Sequence, residues 1–160
     1  MKVLKINNKK IKLTDSNKVF IPNLTTQAII EASEKLKFNK RIKVLDLGSG
    51  SGVIGIYLKK RYGKKIDLYL SDKEDHTINI INSNLRINKV SGFAKKSDIL
   101  KNWKKDKFDL IINDISAIST ELAKKHWYNK YIPHQCGKDG IRLSRKFLDN
   151  VKKNLKQNYY

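Results

Sequence analysis

The chain has 160 residues, with 35 Lys and Arg against 15 Asp and Glu and a formal net charge of +20; this is the size of one domain, without room for a separate recognition domain. The lone Cys136 excludes an internal disulfide and has no companion for a metal site, and no apolar run reaches membrane-spanning length, so a cytoplasmic protein without a membrane partner is expected. The charge would suit nucleic-acid contact, yet lysine far outnumbers arginine and pairs such as Lys9-Lys10, Lys64-Lys65, Lys104-Lys105 and Lys152-Lys153 are scattered along the chain, as AT-rich coding alone would leave them.

Met1 to Leu13 alternates Val3, Leu4, Ile6, Ile11 and Leu13 with lysines and asparagines, the pattern of a hairpin turning near Asn7-Asn8. Residues 43–55 join a buried strand to a helix. Val44 and Leu45 are β-prone, Val53, Ile54, Ile56, Tyr57 and Leu58 resume as a helix, and Gly48, Gly50 and Gly52 fill the turn between, with Asp46 just before them. Glycine in such a turn lets backbone amides approach a ligand. Further strands are expected over 68–72, 93–98 and 108–114, with a helix between the first two that places Ile78, Ile81 and Leu85 on one face. A helix over Ser119–Tyr128, a loop to Gly140 and a last helix with Ile141, Phe147, Leu148, Val151 and Leu155 on its inner face complete the pattern. Phe93, Trp103 and Phe108 are expected to pack in the core.

Two cofactor chemistries fit the glycine turn. Gly50 to Gly55 satisfies the dinucleotide pattern G-x-G-x-x-G, and Asp72 lies about where a ribose-binding acid belongs. Asp46 favours the other chemistry, because a carboxylate at the strand end is a poor neighbour for a pyrophosphate and a good one for the ammonium and sulfonium of S-adenosylmethionine. The extra glycine at 48 points the same way.

Asp46-Leu47-Gly48-Ser49-Gly50-Ser51-Gly52 resembles the first motif of class I S-adenosylmethionine-dependent methyltransferases, and the later strands follow in that family's order. Val19 to Gln27 and Gly137 to Ile141 are similar to segments of the branch holding the HemK-like glutamine methyltransferases and the methyltransferase small domains. The resemblance implies an α/β, Rossmann-like sheet with helices on both faces and strand order 3-2-1-4. It also implies a cofactor site of Asp46, Gly48, Ser49, Gly50, Gly52, Asp72, Lys73, Ser97, Asp98 and Asn113: Asp46 toward the methionine ammonium, Asp72 on the ribose hydroxyls, Ser97 and Asp98 beside the adenine. Phe20, Pro22 and Thr26, in the segment that walls the pocket in this branch, are substrate-side candidates.

Where the family has Asn-Pro-Pro-Tyr or Asp-Pro-Pro-Tyr, this chain has Asn113-Asp114-Ile115-Ser116. Asn113 is the expected catalytic residue that orients the acceptor. Asp114 is either an assisting base or a solvated turn acid. Trp127 and Tyr128 either replace the missing tetrad aromatic or, in Trp127's case, cap the core.

The expected organisation is a hairpin and pre-motif helix over 1–40 and an S-adenosylmethionine-binding unit over 41–160, a single structural domain that stops after strand four and its helices. Strand four would then be an apolar edge, left by truncation, paired by a partner or a second copy, or covered by the last helix. The implied activity is metal-free methyl transfer to a nitrogen of a protein or RNA acceptor; the alternative is a truncated or degenerate module that binds the cofactor without transfer.

Overall fold

The computed structural model, which describes residues 1–14, 16–20, 22–115, 118–125 and 136–157, opens with two antiparallel strands, β1 (Lys2–Ile6) and β2 (Lys9–Leu13). They pair from Lys2 with Leu13 to Ile6 with Lys9, so the turn falls on Asn7-Asn8, with Asn7 at φ +48°. Helix α1 (Leu24–Glu34) starts with a reciprocal cap: Asn23 Oδ1 accepts from the Thr26 amide at 3.2 Å, and Thr26 Oγ1 accepts from the Asn23 amide at 3.5 Å.

The body alternates strand and helix: β3 (Ile42–Leu47), α2 (Val53–Tyr62), β4 (Ile66–Asp72), α3 (Asp75–Asn88), β5 (Phe93–Lys96) and β6 (Leu110–Asn113), then α4 (Thr120–Lys124) and α5 (Arg142–Val151). The four later strands form one parallel sheet in the order β5-β4-β3-β6, the arrangement expected as 3-2-1-4. Because side chains alternate along a strand, β3 sends Ile42 and Val44 to one face and Leu45 and Leu47 to the other.

The first face, joined by Leu68 and Leu70, packs on Ile30 of α1, Ile54 and Leu58 of α2 and Ile81 and Leu85 of α3. The second meets Trp103 and Phe108, with Leu143, Phe147 and Val151 of α5 packed against it. The hairpin belongs to the first face. Ile11 and Leu13 are buried there, and burial on this scale contributes roughly 1.5–3 kcal/mol per side chain. Two buried asparagines of α3 fasten it: Asn84 Oδ1 accepts from the Thr14 amide at 2.8 Å, and Asn88 accepts from the Lys12 amide at 3.0 Å while donating to the Lys12 carbonyl at 2.6 Å.

Several expectations need correction. The last helix ends at Val151 rather than near 155, and Leu148 is 65% exposed, because Leu143, Phe147 and Val151 are spaced by four and leave Leu148 about 100° round the helix. Leu155 leaves the helix and pairs in parallel with Phe108: the Phe108 amide donates to the Asn154 carbonyl at 2.8 Å and the Lys156 amide to the Phe108 carbonyl at 3.0 Å. Of the ways expected to meet the outer edge of the fourth sheet strand, cover from the last helix and the segment after it is the one seen, at the strand's start. The helix expected over 119–128 is confined to Thr120–Lys124, with Ser119 as its cap and Lys125 already extended. Phe93 is 54% exposed instead of buried, lying edge-on to Tyr69 and Trp103 at the margin of the sheet, whereas Trp103 and Phe108 are core residues as expected. No described helix is long and apolar enough to cross a membrane.

Candidate functional site

A cavity of about 470 Å³ opens at the carboxyl ends of the parallel strands, where the loops after β3, β4, β5 and β6 converge. Its floor is the glycine turn between β3 and α2. Ser49 pins that turn to the neighbouring strand: its amide donates to the Ser71 carbonyl at 2.9 Å, its hydroxyl donates to the Asp46 carbonyl at 2.6 Å, and the Ser71 amide donates back to the hydroxyl at 3.0 Å. Gly50, at φ +52°, would present an added Cβ to open space, so its backbone is bare toward the cavity. Gly48 answers a different demand, since a Cβ there would stand 2.8 Å from Ile115 Cγ1 of the loop after β6.

Asp72 closes β4 on the cavity wall. Its Oδ2 accepts from the Gly50 amide at 3.1 Å and its Oδ1 from the Lys73 amide at 2.8 Å, which fixes the carboxylate beside the turn. Burial raises its pKa above the ordinary carboxylate value, and the amides of Gly50, Glu74 and Lys73 oppose the shift. Lys73 lines the rim with its ammonium 3.6 Å from Glu74.

Asp46 lies behind the turn and not on the cavity wall. It shares the β3 face of Val44, is 1% exposed, and its Oδ2 accepts from the Gly55 amide at 2.9 Å near the start of α2. Its Oδ1 is buried without a hydrogen-bond partner. Burial pushes this carboxyl up to about 7, the Gly55 amide opposes that, and the charges of Asp114 and Asp72 add to it.

Ser97 and Asp98 reach the cavity from the loop after β5, by different means. Ser97 is buried and braces its own loop, donating to the Ile99 carbonyl at 2.6 Å and accepting from the Asn102 amide at 3.2 Å. The loop it braces holds Ile99 at φ +54°, a conformation that strains a β-branched residue. Asp98 is exposed at the rim and paired with Lys146 of α5 at 2.5 Å.

The loop after β6 divides the expected catalytic pair. Asn113 Oδ1 accepts from the Ile115 amide at 3.0 Å, a local turn, and the cavity wall is continued by Asp114 and Ile115 instead. Asp114 Oδ2 accepts from Thr26 Oγ1 at 3.0 Å, which ties the strand end to α1 across the cavity. Burial raises the Asp114 pKa and the Thr26 hydroxyl opposes the shift. Phe20, Pro22 and Thr26 all line this wall, whereas Trp127 and Tyr128 lie outside the described residues. Sequence reasoning missed Lys18, Glu74, Thr77, Ile118 and Leu143 on the wall. Leu143 alone left a signal, since it shares the four-residue spacing of Phe147 and Val151.

The arrangement can hold an elongated ligand that carries a sugar-like diol and a cation. Anchored carboxylates suit both groups, and the apolar side chains of Leu47, Val53, Ile54 and Ile115 suit what lies between them.

Comparison with known proteins adds the following. The family model "Methyltransferase small domain" matches residues 12–115. A release factor glutamine methyltransferase of Borreliella burgdorferi is 32% identical over 147 residues, which cover 88% of this chain and 50% of that protein. A ribosomal RNA small subunit methyltransferase C of Haemophilus ducreyi is 42% identical over 71 residues, 44% of this chain and 21% of that protein. The chain thus spans half or less of the length of these two relatives. The crystal structure of a Pyrococcus abyssi tRNA (uracil-54, C5)-methyltransferase, in complex with S-adenosyl-L-homocysteine, shares the fold with a TM-score of 0.58 at 23% identity, over 92% of this chain and 37% of that one.

Proposed function

As the chain belongs to the methyltransferase small-domain family, we propose that it binds S-adenosylmethionine in the cavity above β3 and β4 and transfers the methyl group to a nitrogen of a protein or RNA acceptor. The observation that carries this reading is Asp72: a carboxylate tied to the Gly50 amide at the mouth of a glycine turn is placed to take a vicinal diol.

The residues present fit the cofactor. Gly50 leaves open space where a side chain would stand, and beside it the Asp72 carboxylate is anchored on the cavity wall by the Gly50 and Lys73 amides, whereas Asp46, behind the turn, does not reach the cavity as the motif led one to expect. Asp72 would hold the ribose with Lys73 at the rim, Ser97 and Asp98 would border the adenine, and Gly48, Ser49 and Gly52 would keep the turn in shape. When bound, S-adenosylmethionine supplies an electrophilic methyl group on a sulfonium.

Asp114 would then accept a hydrogen bond from the acceptor's N–H, aim the nitrogen lone pair along the line of transfer, and take up the proton as the new N–C bond forms. Thr26 fixes one oxygen of that carboxylate and leaves the other for the acceptor. Asn113 would position Asp114 by holding the turn through the Ile115 amide. Phe20 and Pro22 would wall the acceptor side. This dinucleotide-free reading also absorbs the G-x-G-x-x-G match, whose Gly50 and Gly52 belong to the same turn and whose Gly55 lies in the first turn of α2.

A second reading, binding without transfer, draws on one observation: Asn113, the residue expected to face the acceptor, has its oxygen engaged in its own turn. Calorimetric titration with S-adenosylhomocysteine tests the site. Binding by the wild type and a loss of roughly 10-fold or more in Asp72→Ala are expected, about 1.5–3 kcal/mol for a charged hydrogen bond; no binding by the folded wild type would remove the proposal. Methyl transfer from labelled S-adenosylmethionine to ribosomal RNA or to a release factor separates the readings. Loss of transfer in Asp114→Asn with cofactor affinity kept supports catalysis, and absence of transfer in the wild type supports binding alone.

A further inference from the structure

We infer that a groove beside the cavity holds the phosphodiester backbone of a single-stranded nucleic acid whose reacting base enters the cavity; the strand's place rests on the groove, and the base's fate on the methyl-transfer reading. The groove measures about 530 Å³ and lies between the turn at Lys101–Trp103 and the outer side of α5 with the turn that follows it. Four lysines that are far apart in sequence converge on it: Lys101 and Lys104 from one side, Lys146 and Lys153 from the other, with the amide-bearing Asn150 beside them.

Asp98 is the one acid among these lining residues, and Lys146 already neutralises it. Lys101, Lys104 and Lys153 have no carboxylate partner among the described residues, so three positive charges remain for a ligand. Lysines without a carboxylate partner among the described residues occur elsewhere too, as Lys5, Lys10 and Lys12 do on the hairpin; what sets these apart is that they converge on one groove from positions about 50 residues apart in sequence, as Lys101 and Lys153 do.

The groove is joined to the cavity. Asp98 and Ile99 line both, so the strained, Ser97-braced loop is the partition between the lysines and the cofactor site. A polyanion with regularly repeated charge satisfies three unpaired lysines better than a single anion does, and each neutralised phosphate releases counterions. A base can cross the partition only if it is unstacked, which costs least in a single strand and favours it over a duplex.

The test is fluorescence anisotropy with a labelled single-stranded RNA of about 16 nucleotides, its DNA counterpart, and polyglutamate as a polyanion without nucleotides. The groove variant Lys101→Ala/Lys104→Ala/Lys153→Ala is compared with the hairpin variant Lys5→Ala/Lys10→Ala/Lys12→Ala, which removes equal charge. The groove variant is expected to bind the nucleic acid roughly 10-fold more weakly, with a log–log salt slope shallower by about 2, three contacts at about 0.7 each; the hairpin variant is expected to change less than about 2-fold. A loss restricted to RNA or to DNA names the strand and supports the groove. Equal losses in the two variants, no loss in the groove variant, or polyglutamate binding as tightly as RNA would overturn it. S-adenosylhomocysteine affinity measured on all three proteins keeps the readings apart, since its absence in the wild type sinks the cofactor site while a groove-specific loss still stands.

Discussion

Asp46 carries a proton whose fate differs between the folded and unfolded chain. Its carboxyl rises from 3.8 to about 7 on burial, so between those values the folded protein keeps a proton that the unfolded chain has released. Stability from this group is therefore full below about 4, declines as pH rises through the window, and levels off above about 7. Asp46→Asn keeps an acceptor for the Gly55 amide and removes the ionisation. Thermal melting of the ligand-free protein is expected to show the two forms alike near pH 4 and the variant higher at pH 8 by at least roughly 4 °C, given about 2–4 °C per kcal/mol in a domain of this size. A wild-type-minus-variant difference that stays flat with pH would remove the assignment. The residue type was legible in the sequence, and so was the face, because Asp46 shares the period of Ile42 and Val44. What the motif left out is that this parity turns the side chain toward α2 and away from the open cavity.

At the scale of elements, α3 is the connector. Asn84 accepts from the Thr14 amide at the exit of the hairpin and donates to the Ser51 carbonyl of the glycine turn, both at 2.8 Å, so one buried side chain joins the N-terminal hairpin to the ligand floor. Truncating it in Asn84→Ala leaves two backbone groups without partners; an expected loss of about 2–4 kcal/mol in urea unfolding follows, with weaker S-adenosylhomocysteine binding alongside. Retained stability would mean that water replaces the amide. The strand-helix alternation and the sheet order were legible because each strand carries an apolar run and each helix a face, as Ile81 and Leu85 do in α3. The last helix was misread for a local reason: Phe147 and Leu148 are adjacent, only one of them can face the sheet, and Leu143, not counted at first, decides which. The turn at 113–115 was illegible for another, since an asparagine that caps its own turn looks in sequence like one that points at a ligand.

For the whole molecule, charge divides the surface. The lysines look scattered along the chain, and only the packing of α5 and the turn after it against the loop after β5 brings four of them into one groove; no periodicity encodes that. The cavity next to it has the opposite sign. Asp72, Glu74, Asp98 and Asp114 line it against Lys18 and Lys73, with Asp46 behind, in a protein whose net charge is +20. Parallel strands bring this about, since β4 closes on Asp72 and β6 stops at Asn113, one residue short of Asp114, so these two deliver their acids to the same rim while Asp46 of β3 stays behind it. If the cavity holds S-adenosylmethionine as proposed, its mouth would act as a charge sieve among adenine-bearing metabolites. ATP and NADH should be drawn to the cationic exterior yet turned away from the one opening their adenosine would fit, so neither, at millimolar excess, should displace labelled S-adenosylhomocysteine, and adenosine should compete better than either. Discrimination of this kind would be exercised on the tail of a molecule before its purine had touched the protein.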